Sequence, residues 1–173
     1  MKTLISEPEV NEAVCRMADE INGFYGDSPL TIVGVLTGSV VLLADLIRQM
    51  TMPLRVGVVQ ASSYRGATTR GPLVINSDLM PNIAKQDVLI VDDIFDTGHT
   101  MLELIDLMHK LAPISIRSAV LLQKTGQQQV ELCPDFVGFE IPNEFVVGYG
   151  LDYQDQYRNL PYVAALESHD IGE

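Results

Sequence analysis

Basic residues are scarce in this chain. Eleven Lys and Arg stand against 23 Asp and Glu over 173 residues, giving a formal net charge of −12 and a pI near 4.5. This argues against a general nucleic-acid surface, because backbone binding depends on Lys and Arg neutralising phosphates. Any small anion must therefore be met by local groups. Cysteine is nearly absent too: Cys15 and Cys133 are too few for a disulfide framework. Apolar runs are short, and none reaches the length of a bilayer span, which argues against a membrane protein. The Met1-Lys2 start lacks the apolar stretch of a signal peptide. A soluble protein in a reducing, cytoplasmic setting is the expectation. Internal repeats and linkers are missing as well, and the length suits one domain over residues 1–173. Such a domain buries roughly two thirds of its unfolded surface.

What is present alternates. Ser6 and Glu9 form a capping box ahead of Val10, Ala13, Val14, Met17 and Ile21, which recur at helical spacing. Leu30 to Leu36 reads as a buried strand, Thr37-Gly38-Ser39 as a turn, and Leu42, Leu43, Leu46 and Ile47 as the apolar stripe of a helix. Further strands are expected at Arg55 to Ser62, Leu73 to Ile75, Val88 to Val91 and Ser115 to Leu122, with a helix from Met101 to Leu111. Strands alternating with helices predict an α/β fold, a central mostly parallel sheet flanked by helices with right-handed crossovers.

The run Val88 to Met101, VLIVDDIFDTGHTM, concentrates the chemistry. Its first four residues are apolar and β-branched, as in a strand covered on both faces. Asp92-Asp93 then fall at the carboxyl end of that strand, where open α/β sheets place their ligands. A solvated turn is the plainer alternative for such a pair. In Asp96-Thr97-Gly98-His99-Thr100, small and hydroxylated residues lead straight into a helix, an arrangement suited to a phosphate at the helix N-terminus. An ordinary N-cap by Thr or Asp would give the same pattern. Carboxylates beside a phosphate repel it unless a hard cation intervenes. Mg²⁺, which bridges carboxylates and substrate phosphates, fits that need. Sugar hydroxyls can also donate to these carboxylates.

Leu89 to Met101 resembles the phosphoribosyl-pyrophosphate motif of type I phosphoribosyltransferases. Pro134 to Pro142, PDFVGFEIP, with Glu144 to Tyr153, EFVVGYGLDY, narrows the resemblance to the hypoxanthine-guanine phosphoribosyltransferases, over about Ile32 to Tyr162. The resemblance implies the type I phosphoribosyltransferase fold, with a small hood built from the N- and C-terminal segments. It implies purine salvage: transfer of a phosphoribosyl group from phosphoribosyl pyrophosphate to hypoxanthine or guanine, in a homo-oligomer, a dimer or a tetramer. Nucleic acid and membrane are not among the expected partners.

Residue roles follow by position. Asp96 becomes the general base or acid at purine N7, able to take a proton as the purine attacks the ribose C1. Asp92 and Asp93 hold the ribose hydroxyls directly or through Mg²⁺, and Asp92 stands where Glu is common. Thr97, Gly98, His99 and Thr100 belong with the phosphate. Leu36, Thr37, Gly38 and Ser39 match the pyrophosphate loop, where a non-proline cis peptide is usual between the first two positions. Thr37 replaces a common Lys, so backbone N–H groups and metal would carry more of the pyrophosphate. Arg158 matches a pyrophosphate-contacting arginine, whose paired donors suit phosphate oxygens.

Lys124 matches a lysine that donates to the purine 6-oxo group, Phe145 the residue stacking on the base, Val146 one whose backbone meets the ring edge, and Asp152 a carboxylate near the metal. Read alone, Lys124 is a solvated loop lysine, and Phe145 and Val146 are core. His99 stands where Lys or Asn is frequent; the reading preferred here turns its side chain to solvent, and a pH-dependent phosphate contact is the other. Ser63-Tyr64, within the polar segment Ser62 to Gly71, match a lid that excludes water from an oxocarbenium-like centre. An exposed hairpin is equally compatible. Tyr149, Tyr153 and Tyr157 read as packing, and His109 and His169 have no partner at ligand spacing.

Other classes are less compatible. A nucleotide-sensing, RNA-binding relative conflicts with the charge of −12 and with the presence of both Asp96 and Lys124. A phosphoacceptor signalling domain carries its acidic pair after the first strand, whereas here two or more strands come before it.

Overall fold

Val88 to Val91 have no exposed face, because the strand that holds them is sandwiched. The protein is represented by a computed structural model that describes residues 1–66, 69–167 and 170, with the side chains of 62–74 outside the description. In chain order the elements are β1 (Lys2–Ile5), α1 (Glu7–Tyr25), β2 (Leu30–Leu36), α2 (Val40–Ile47), β3 (Leu54–Gly66) and β4 (Thr69–Asn76). They continue with β5 (Asp87–Phe95), α3 (His99–His109), β6 (Ser115–Lys124), β7 (Phe136–Ile141), β8 (Val146–Val147) and β9 (Val163–Ala165). The larger sheet runs β4-β3-β2-β5-β6-β7, parallel throughout except for the antiparallel β3–β4 pair. A mostly parallel central sheet flanked by helices is thus the architecture, as expected from sequence.

Both faces of this sheet are covered, which is why β5 shows no polar alternation. Leu89 and Val91 join Met17 and Ile21 of α1 and Leu42 and Leu46 of α2 in one core cluster. Val88 and Ile90 join Met101, Leu104 and Met108 of α3 in the other. The capping box starts α1 as expected: the Ser6 N–H donates to Glu9 Oε2 at 2.8 Å and the Ser6 hydroxyl to the same oxygen at 2.6 Å. Those bonds hold the Glu9 carboxyl below its ordinary range, the side-chain bond contributing most.

The observed elements depart from expectation at their ends. β3 and β4 are longer than Arg55–Ser62 and Leu73–Ile75, because they pair with each other from Gln60–Asn76 out to Gly66–Thr69. α3 begins at His99 and stops at His109, leaving Leu111 exposed beyond its buried face. The hood is a small antiparallel sheet of order β1-β9-β8, in which the N-terminal Lys2 and Thr3 pair with Ala165 and Ala164. Among the described residues, no helix is long and apolar enough to cross a membrane.

Strand order reverses between β2 and β5: the chain leaves β2 toward β3 on one side and β5 toward β6 on the other. Such a switch point opens a crevice at the carboxyl ends of the two strands. The segments that emerge there are Thr37 to Ser39 and Asp92 to Thr100.

Candidate active site

Asp92 is buried and Asp93 half-buried at the end of β5. The Asp93 N–H donates to Asp92 Oδ1 at 2.9 Å and the Ile94 N–H to Asp93 Oδ1 at 2.8 Å. Burial, then the neighbouring Asp93 charge, pushes the Asp92 carboxyl well above the ordinary carboxylate range. Burial also raises Asp93. The pair is thus no solvated turn. It is a site where negative charge is costly until a cation or a donor arrives.

Across the crevice, the Leu36–Thr37 peptide is cis. Gly38 follows, and a Cβ there would lie 1.7 Å from Asp93 Oδ2, so any larger residue would displace that carboxylate. The Gly38 carbonyl in turn approaches Gly150, where a Cβ would come within 2.1 Å of it. Ser39 is fully buried, and its hydroxyl donates to the Val35 carbonyl at 2.6 Å. That internal bond takes the hydroxyl out of the crevice, leaving Thr37 and Gly38 at its edge.

Asp96 to Thr100 turn the chain from β5 into α3. Gly98 occupies the cap position at φ +88°, and a Cβ there would meet Val130 Cγ2 at 2.4 Å and Phe95 Cζ at 2.7 Å. Among the described residues no side chain caps this helix, unlike the ordinary Thr or Asp cap considered from sequence. A cavity of about 300 Å³ lies in front of it, lined by Leu36, Thr37, Gly38, Asp92, Asp93, Asp96, Thr97, Gly98, Thr100, Asp152 and Arg158, among others. His99 is outside that lining. Its Nε2 lies 3.1 Å from Gln129 Oε1, an exposed hydrogen bond.

Arg158 is half-buried, donates to the Gly150 carbonyl at 2.7 Å and pairs with Asp152 Oδ1 at 2.8 Å. Asp152 also accepts the Asp155 N–H at 2.9 Å. Among the described residues, no three His, Cys, Asp or Glu side chains gather closely enough to ligate a metal by themselves. The donor chemistry still suits Mg²⁺, which is commonly held by one or two carboxylates with water and substrate oxygens completing its shell. Asp92 and Asp93 could supply such carboxylates, and Asp152 lines the same cavity.

An adjoining cavity of about 220 Å³ is lined by Asp93, Ile94, Asp96, Lys124, Phe145, Val146, Leu151 and Asp152. The Lys124 side chain is only 11% exposed, and its Nζ donates to Asp96 Oδ2 at 3.1 Å and to Asn143 Oδ1 at 3.3 Å. A solvated loop lysine it is not. Phe145 is 47% exposed instead of core, with Tyr153 edge-on at 5.5 Å. Val146 is buried in the hood, paired with Ala165. Tyr149 does pack, donating its hydroxyl to Asp45 at 2.6 Å, and Tyr153 packs edge-on against Phe145.

Sequence reasoning missed Asn143, an ordinary polar loop residue whose contact with Lys124 joins positions 19 apart. Ser63 and Tyr64 lie in β3, and their side chains fall outside the described residues.

Residues 2–154 match the phosphoribosyl transferase domain family. A hypoxanthine phosphoribosyltransferase of Haemophilus influenzae is 40% identical over 94% of this chain and 93% of its own length. A hypoxanthine-guanine phosphoribosyltransferase of Bacillus subtilis is 39% identical over 96% and 93%. Among solved structures, a Staphylococcus aureus hypoxanthine phosphoribosyltransferase superposes with a TM-score of 0.94 at 34% identity, covering 100% of this chain and 95% of that one. The crevice, its acidic pair and its adjoining cavities thus sit in a chain that belongs to the phosphoribosyl transferase family and, within it, to the hypoxanthine-guanine phosphoribosyltransferases, glycosyltransferases of purine salvage.

Proposed function

We propose that this chain transfers the 5-phosphoribosyl group from phosphoribosyl pyrophosphate to hypoxanthine, and to guanine as well, giving IMP or GMP and pyrophosphate. One observation carries the reading: Asp96 lines both a phosphate-suited cavity and a cavity edged by Phe145 and Val146, and Lys124, which lines the second, donates to it at 3.1 Å. A proton acceptor and a pure donor are therefore side by side where a sugar and a purine would meet.

In this reading Asp96 to Thr100 hold the 5-phosphate, Asp92 and Asp93 the ribose hydroxyls, and Thr37, Gly38 and Arg158 the pyrophosphate. Lys124 donates to the 6-oxo group, Phe145 stacks on the ring, and the Val146 backbone meets its edge. As purine N9 bonds to C1 and the bond from C1 to pyrophosphate breaks, Asp96 takes the N7 proton. The carboxylate also stabilises positive charge developing on the purine. Asp92 and Asp93, with Asp152 nearby, would hold Mg²⁺, which would supply charge neutralisation for pyrophosphate oxygens. The assembly is a homo-oligomer, dimer or tetramer, and the setting cytoplasmic.

The test incubates protein, Mg²⁺ and phosphoribosyl pyrophosphate with a panel of purines. IMP and GMP should form with stoichiometric pyrophosphate, and both should stop when EDTA is added. Formation of no mononucleotide from any 6-oxopurine would overturn the proposal. Light scattering during size-exclusion chromatography checks the assembly, and a monomer at assay concentration would refute it.

A further inference from the structure

Lys124 ends β6, and its strand partner in β7 is Ile141. The Thr125 N–H donates to the Ile141 carbonyl at 2.9 Å, which ties the two strand ends together just past the lysine. From there the chain passes Pro142 and returns over Lys124, so that Asn143 reaches its ammonium two residues before Phe145. The ammonium has three N–H donors and no acceptor. One goes to Asp96 Oδ2 at 3.1 Å and one to Asn143 Oδ1 at 3.3 Å. The third remains for the cavity that Phe145 and Val146 share. Because lysine can only donate, the amide oxygen of Asn143 and not its NH₂ must face it.

We infer that Asn143 is a positioning residue for Lys124 and thereby sets the affinity for the 6-oxo group of the purine. This rests on the function proposed above. With both protein acceptors in place, the direction of the third N–H is set by the tetrahedral ammonium. With Asp96 alone, the ammonium rotates about one anchor and its third N–H loses a fixed direction toward the purine cavity. Asn143 is exposed, so it holds the lysine without being part of the core. Its contribution falls on purine binding, while phosphoribosyl pyrophosphate occupies the other cavity.

The experiment measures steady-state kinetics for wild type, Asn143→Ala and Asn143→Asp, varying hypoxanthine and phosphoribosyl pyrophosphate separately. Asn143→Ala should raise the KM for hypoxanthine about tenfold, the loss of one hydrogen bond to a charged group. The KM for phosphoribosyl pyrophosphate and kcat should stay within about twofold. Asn143→Asp keeps an acceptor at the same position and should remain within about threefold of wild type in hypoxanthine KM. An unchanged hypoxanthine KM in the alanine variant overturns the inference. So does an equal rise for both substrates, or an aspartate variant as impaired as the alanine one. Wild-type protein that forms no IMP would instead end the transferase reading itself.

Discussion

At Asp96 a carboxylate lines both cavities and accepts from Lys124, so its charge is partnered before any substrate binds. Replacing it by Asn keeps an oxygen for Lys124 but removes the proton acceptor. Asp96→Asn should therefore lower kcat by about 10²-fold or more while leaving Tm nearly unchanged. Kinetics and thermal unfolding on the same sample check this, and near-wild-type turnover would remove Asp96 from its role. Tyr25 poses a different residue-level problem. It is buried at the end of α1, and among the described residues its hydroxyl has no hydrogen-bond partner. Burial above all pushes its pKa up to about 12, with Arg117 opposing and Asp87 and Asp135 adding. In the folded state the phenol keeps its proton after the unfolded chain has lost it. The ionisation-linked part of stability is thus intact below pH 10 and is lost between about 10 and 12. Tyr25→Phe should raise stability at pH 7 by about 1 kcal/mol, by removing an unpaired buried hydroxyl. It should also flatten the loss between pH 10 and 12. Urea unfolding at a series of pH values reads both, and an unchanged alkaline limb would contradict the assignment.

The turn from β5 into α3 works as an element because Gly98 lets it run under Val130 and beside Phe95. An alanine there faces both a positive φ of 88° and contacts no Cβ tolerates. Gly98→Ala should cost about 2–3 kcal/mol and raise the KM for phosphoribosyl pyrophosphate at least as much as that for hypoxanthine. Thermal unfolding with paired kinetics tests this, and a wild-type profile would show that the turn has room. The same element shows what sequence could reveal. β5 was legible because a strand covered on both faces must be apolar at every position, and VLIV leaves no other economical reading. β1 and β8 were not, since strands of four and two residues exist only through pairing with β9. Asp92, Asp93 and Asp96 could be found because their spacing is local to one strand and turn. Asn143 could not, because its partner lies 19 positions away and a loop Asn carries no pattern. Ser39 looked available by residue type, yet its bond to Val35, four residues back, turns the hydroxyl inward.

Over the whole molecule, a net charge of −12 meets a fold that buries carboxylates at its switch point. Among the described residues, Lys124 and Arg158 are the cations lining the two cavities, and each is already paired with an aspartate there. The ligand-free fold therefore carries an electrostatic load that binding relieves. Replacing Asp92 by Asn removes the most strongly affected carboxylate and keeps an oxygen to accept the Asp93 N–H. Asp92→Asn should raise the stability of the ligand-free protein at neutral pH by about 1–2 kcal/mol. For a chain of this size that is roughly 2–4 °C in Tm per kcal/mol. Ligand response should move the other way. Mg²⁺ with phosphoribosyl pyrophosphate at a hundred times its Kd should stabilise wild type by about 2.7 kcal/mol, and by much less in the variant. Thermal unfolding with EDTA, with Mg²⁺ alone and with Mg²⁺ plus phosphoribosyl pyrophosphate reads the three states. A variant that is less stable than wild type when ligand-free, or that gains as much from ligand, would show that Asp92 is carried for packing and not for charge.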